Sequence, residues 1–134
     1  MNSVDLFSGA GGLIIALRAA GFNVLLANDI NSRFTQTHLH NFPDIPLIEK
    51  DICELSKDEI LSTAEHNKID LVVGGPPCQG FSVFGNRRFI HTRGYRPKED
   101  PRNSLVYEFI RVIDELKPKF FFMENVKGFI SLNK

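Results

Sequence analysis

The chain has 134 residues, 43% of them hydrophobic and 24% charged, with a formal net charge of zero. That composition suits one globular domain with a core of its own. No apolar run reaches the about 18 residues of a membrane span, no basic-then-apolar leader opens the chain, and two cysteines make no disulfide framework. The four histidines are scattered without zinc spacing, so no metal site is expected. A chain with free thiols fits a reducing, cytoplasmic compartment.

In chain order, Ser3 to Phe7 reads as the first strand. Ser8-Gly9-Ala10-Gly11-Gly12 is a tight turn whose glycines let backbone approach a ligand closely. It lacks the third glycine of a dinucleotide fingerprint, since Ile14 stands there, and it lacks the lysine of a phosphate loop. Leu13 to Ala20 is a helix stopped by Gly21. Val24 to Ala27 is the second strand, running out to Asp29. An acid about twenty residues past the glycine turn, at a strand tip, suits the ribose hydroxyls of an adenosine cofactor. By itself it separates no nicotinamide dinucleotide from S-adenosylmethionine. Ile30 is either a wall for adenine or an ordinary helix-entry residue.

Ser32 to His40 is helical, ended by Asn41-Phe42-Pro43. Pro46 to Glu49 is a third strand, followed by Asp51, either a surface acid or an acceptor for an adenine amine. Ser56-Lys57-Asp58-Glu59 is a capping box for a helix from Lys57 to Glu65. Cys53 reads as structural, with nothing nearby to lower its pKa.

Ile69 to Val73 is a fourth strand, halted at Gly74-Gly75-Pro76-Pro77. Cys78 follows that stiff step, a thiol at the carboxyl end of a central strand, where open α/β sheets place their chemistry. Gly75 to Pro101 shows no periodicity and reads as a lid or binding loop. Charge is lopsided: residues 1 to 70 hold five basic and ten acidic side chains, whereas Asn86 to Arg102 holds six basic against two acidic. A polyanion would meet the second segment. Asn103 to Leu116 is the clearest helix, and Phe120 to Met123 a fifth strand with Glu124 at its tip. Strands alternating with helices predict an α/β fold with one parallel sheet covered on both faces.

Gly75-Pro-Pro-Cys-Gln-Gly-Phe-Ser82 resembles the nucleophile motif of the cytosine carbon-5 DNA methyltransferases. Four further segments resemble that family's motifs, in its order: Asp5 to Gly12, Asn28-Asp29-Ile30, Asp51-Ile52 and Glu124-Asn125-Val126. The resemblance implies a Rossmann-like S-adenosylmethionine-dependent methyltransferase fold, of which the five strands are a portion. It implies S-adenosylmethionine as cofactor, held by Phe7, Ser8, Gly9, Gly11, Gly12, Asp29, Ile30, Asp51, Ile52 and Pro77. Cys78 is implied as nucleophile, with Glu124, protonated and buried, bonded to the target ring. Gln79, Ser82, Asn125 and Val126 are implied at the substrate, and Arg87, Arg88 and Arg102 on DNA.

Against the family pattern, the sequence stops just after the glutamate motif. Residues 1–134 therefore correspond to the N-terminal portion of a catalytic domain without its target-recognition region. The expected partners are double-stranded DNA and a second polypeptide, or a C-terminal half, carrying what is missing. Self-association through the 120–123 edge is the other outcome, and no membrane is involved. The implied setting is DNA methylation in a bacterial or archaeal restriction–modification system. An RNA (tRNA) cytosine-5 methyltransferase, a non-catalytic cofactor-binding remnant and a nicotinamide-dependent enzyme are the competing readings.

Overall fold

A computed structural model describes residues 1–77 and 104–126. Five strands lie in them: β1 (Asn2–Leu6), β2 (Asn23–Asp29), β3 (Leu47–Glu49), β4 (Leu71–Gly74) and β5 (Phe120–Met123). Four helices join them: α1 (Gly12–Ala19), α2 (Ser32–Asn41), α3 (Lys57–Thr63) and α4 (Leu105–Leu116). All neighbouring strands pair in parallel, in the order β3-β2-β1-β4-β5. The expected parallel α/β sheet is therefore present. β1 is its centre, and the chain switches direction there, with β2 on one side and β4 on the other. Crevices outside the carboxyl ends of strands at such a switch are where open α/β sheets bind ligands.

The pleat sends alternate residues of each strand to opposite faces. Val4, Leu6, Leu26 and Val72 pack with Ile60 of α3 and Phe109 and Val112 of α4. On the other face Val24, Ala27 and Val73 pack with Ile14 and Leu17 of α1 and with Phe42 and Ile45. Both faces of the sheet centre are thus covered, as parallel strands require.

Boundaries move by a residue or two, each for a local reason. β1 ends at Leu6 rather than Phe7, because Phe7 turns into the left-handed region at φ 56°. α3 stops at Thr63 rather than Glu65, since Glu65 and His66 take positive φ. Ser56 caps α3 by accepting from the Glu59 amide at 3.2 Å. The Glu59 carboxylate pairs instead with Lys50, at 2.8 Å. A 3-10 turn at Ile52–Glu54 was not expected from the sequence; Asp51 caps it by accepting from the Cys53 amide at 2.9 Å.

β5 lies at the sheet edge, as expected. Phe120, Phe121 and Phe122 are 59%, 61% and 53% exposed. Met123 alone of that strand packs partly against the core. Most of the expected lid, together with Asn103, the first residue of the expected helix, lies outside the described residues.

Candidate active site

Four loops converge above the carboxyl ends of β1, β2, β3 and β4. The first runs from Phe7 to Gly11. The Gly9 amide donates to Asp29 Oδ2 at 2.8 Å, so the tip of β2 fixes the loop after β1. Asp29 Oδ1 accepts from the Asn31 amide, also at 2.8 Å. Each carboxylate oxygen retains lone-pair capacity for a further donor. Gly11 is required for a different reason from the one expected. It sits at φ 96°, and a Cβ there would overlap the Phe42 ring, so its role in this structure is packing. Phe7, an aromatic residue held in the left-handed region, marks backbone strain beside the site.

Together these loops bound a cleft of about 520 Å³, lined by Phe7, Gly9, Asp29, Ile30, Asp51, Ile52 and Pro77 among others. That volume lies within the range of small-ligand sites. One end offers carboxylates at strand tips, and the walls are apolar. This donor and acceptor set fits an adenosine group: acids for hydroxyls or an amine, and apolar side chains for the faces of a base.

Seven of the ten sequence-derived cofactor residues therefore meet at one place. The other three do not line the cleft. Ser8 is buried, its hydroxyl without a partner among the described residues. Gly11 packs on Phe42, and Gly12 opens α1.

Sequence reasoning missed Asn28, Asn31, Phe34, Gly75 and Leu105, which also line the cleft. Asn28 had a readable signal, a polar residue ending an apolar strand. Its Nδ2 donates to the Ile48 and Lys50 carbonyls, each at 2.9 Å, and so locks the end of β2 to β3. Leu105 had none, because it reaches the cleft from a helix distant in sequence.

Asp5 was also missed. It lies on β1 between Ala27 and Val73, fully buried, with neither carboxylate oxygen partnered among the described residues. Burial, and secondarily the charge of Asp29, push its carboxyl up to about 8. It is therefore a neutral acid at neutral pH.

The glutamate of the last motif requires a correction. Glu124 is exposed, not buried. It follows β5, and no described segment covers that edge. Its amide donates to the Gly74 carbonyl at 2.9 Å. A Cβ on Gly75 would lie 3.3 Å from Glu124 Oε2, which puts the carboxylate beside the Gly-Gly-Pro-Pro step. Asn125 is half-buried and accepts from the Val126 amide at 2.8 Å, while Val126 is exposed. Cys78, Gln79, Ser82, Arg87, Arg88 and Arg102 lie outside the described residues. Cys53 is exposed. It was expected to be structural, but it is not buried in the core; desolvation, then its hydrogen bond to Asp51, push its thiol pKa up. No group of metal-ligating side chains occurs among the described residues, and none of their helices is long and apolar enough to cross a membrane.

Comparison with known proteins agrees with this geometry. A model of the C-5 cytosine-specific DNA methylase family matches residues 1–134. The Type II methyltransferase M1.HphI of Haemophilus parahaemolyticus is 44% identical over 99% of this chain and 34% of its own length. The Type II methyltransferase M.AquIA of Picosynechococcus is 46% identical over 98% of this chain and 50% of its own. The chain thus spans between a third and a half of these relatives. Among solved structures, one assigned to a DNA modification methyltransferase encoded in an E. coli prophage superposes with a TM-score of 0.81 at 36% identity. It matches 99% of this chain and 34% of that one. Spodoptera frugiperda DNMT2 superposes at 0.69 with 29% identity, over 97% of this chain and 37% of its own. Methyltransferases of this kind generally use S-adenosylmethionine, and the sheet is the corresponding part of their Rossmann-like fold. On the family match and these likenesses together, the chain belongs to the C-5 cytosine-specific DNA methylase family.

Proposed function

We propose that this chain is the N-terminal portion of the catalytic domain of a DNA (cytosine-5-)-methyltransferase, acting in the cytoplasm of a bacterial cell. The observation that carries this is the convergence of Phe7, Gly9, Asp29, Ile30, Asp51, Ile52 and Pro77 on one cleft at the sheet's switch point. In this reading Asp29 accepts from ribose, Asp51 from the adenine amine, and Phe7, Ile30 and Ile52 flank the base. S-adenosylmethionine, when bound, supplies a methyl group on a sulfonium.

The target atom is unreachable inside a stacked duplex, so the cytosine must be flipped out. Cys78, directly after cleft-lining Pro77, attacks carbon 6 as thiolate. The electron pair displaced from the ring double bond makes carbon 5 nucleophilic towards the methyl group. Glu124, in its protonated form, donates to ring nitrogen 3 and offsets the charge that develops there. Its exposure in this structure means that the base, and whatever covers β5, must complete its surroundings. Loss of the carbon-5 proton to a base and departure of the thiolate restore the ring. Asn125 and Val126 shape the base pocket, Gln79 and Ser82 contact the substrate, and Arg87, Arg88 and Arg102 contact DNA phosphates. A further polypeptide segment, in the same or a second chain, supplies target recognition and covers the β5 edge.

The test is covalent trapping with that segment supplied. A duplex containing 5-fluorocytosine forms a stable adduct, because fluorine cannot leave as a proton does. Cys78→Ser gives none, and Cys53→Ser behaves as wild type. An adduct that survives loss of Cys78 refutes the mechanism. Trapping on tRNA instead of duplex DNA moves the substrate to RNA, against the family description.

A further inference from the structure

Arg111, in the middle of α4, ties that helix to the turn that walls the cleft. Its Nε donates to Glu108 Oε2 at 2.7 Å and its Nη1 to Glu115 Oε1 at 3.0 Å. Two carboxylates of its own helix thus hold the guanidinium plane in place. Nη2 then donates to the Ile52 carbonyl at 2.8 Å and the Leu55 carbonyl at 3.1 Å. Those carbonyls bracket the 3-10 turn whose cap is Asp51. Asp51 and Ile52 line the cleft, and so does Leu105, the first residue of α4.

Apolar packing already anchors the turn's side chains, since Ile52 and Leu55 are buried in the same cluster as Phe109 and Val112. Packing of that kind is non-directional. It does not set how the backbone of the turn is rotated, and the rotation decides where the Asp51 carboxylate points. A planar fork of charged donors does set it, because its hydrogen bonds are strong and their directions fixed.

We propose that Arg111 is a positioning residue for the nucleobase end of the cofactor cleft. By fixing the Ile52 and Leu55 carbonyls, it aims the Asp51 carboxylate at the exocyclic amine of the base and thereby sets base selectivity. This rests on the adenosine-cofactor reading of the cleft. A carboxylate attracts the amine of adenine and repels the carbonyl oxygen of hypoxanthine, so selectivity between the two reports its aim.

Calorimetry on the full chain compares S-adenosylhomocysteine with its hypoxanthine counterpart. Wild type prefers the adenine form; heat with neither ligand overturns the cofactor reading itself, and this role with it. Arg111→Lys keeps a positive charge beside Glu108 and Glu115 but loses the fork. It is expected to keep its melting temperature within a few degrees and to lose roughly tenfold in base selectivity, the worth of one hydrogen bond to a charged group. In an Asp51→Ala background the same change leaves selectivity unaltered, because the aimed group is gone. Selectivity preserved in Arg111→Lys, or both ligands weakened equally with a falling melting temperature, shows a merely structural clamp and overturns the proposal. If the lysine variant does not fold, Glu115→Gln loosens the guanidinium without emptying its place. A selectivity drop there supports the proposal, and none overturns it.

Discussion

β1 and β5 are apolar strands of one parallel sheet that meet opposite environments. β1 has a neighbour on each side and helices over both faces, and Val4 and Leu6 are wholly buried. Among the described residues β5 pairs only with β4, and its three phenylalanines are more than half exposed. An unpaired strand edge is a template for further pairing. The difference shows that hydrophobicity states a strand's need for cover, while its place in the sheet decides whether this stretch of chain meets it. The chemistry divides along the same line. Residues on the β1–β2 side have assembled into a cleft, whereas Glu124 on the β5 side still stands in solvent.

The largest expected effect comes from truncating the covered strand. Leu6→Ala removes a fully buried side chain and is expected to cost about 2–5 kcal/mol in denaturant unfolding. A cost under about 1 kcal/mol would show that the sheet centre is no better packed than its edge.

The next effect concerns the polar group inside that covered strand. Asp5 titrates near 8 when folded and near its ordinary 3.8 when unfolded. Folding therefore takes up a proton between those values. The stability this group allows is fully present below about pH 4 and falls as pH rises towards 8. Asp5→Asn removes the titration and should flatten the profile. The variant is expected to gain on the order of 5 kcal/mol over wild type at pH 8 relative to pH 4. Parallel profiles for the two proteins would show that Asp5 is partnered and ionised in solution.

The smallest thermodynamic effect is expected at β5. Phe121→Ser should change the unfolding free energy of the monomer by no more than about 0.5 kcal/mol. The readout that moves is association: the chain should sediment as a larger species at micromolar concentration, and Phe120→Lys with Phe122→Lys should return it to monomer. A wild-type monomer whose β5 amides resist hydrogen exchange would show that the edge is covered from within.

Most of the fold was legible because its signals are local. Apolar runs of strand length, the Ser56 cap and Gly21 after α1 each depend on near neighbours in sequence. The motif residues of the cleft were legible for a different reason, since they stand at strand tips where the topology must bring them together. What escaped depends on distant partners. The burial of Asp5 needs Ala27 and Val73 beside it, and Leu105 and Phe34 reach the cleft from helices. The 3-10 turn after β3 is three residues long, too short to show a period. Glu124 was expected to be buried only through the family resemblance; it stands exposed because the strand before it is the sheet edge and no described segment covers it.

The contact between Gly11 and Phe42 bears on any attempt to transplant this site. Phe42 caps the carboxyl end of α2, and its ring fills the space where a side chain at position 11 would begin. The glycine loop is therefore moulded from outside by a ring that arrives two helices and a strand later. Grafted alone onto another sheet, residues 7 to 12 would keep their sequence and lose their mould. A portable version of the site would have to run from β1 through Phe42, and Gly11 would become replaceable only where that ring had been trimmed.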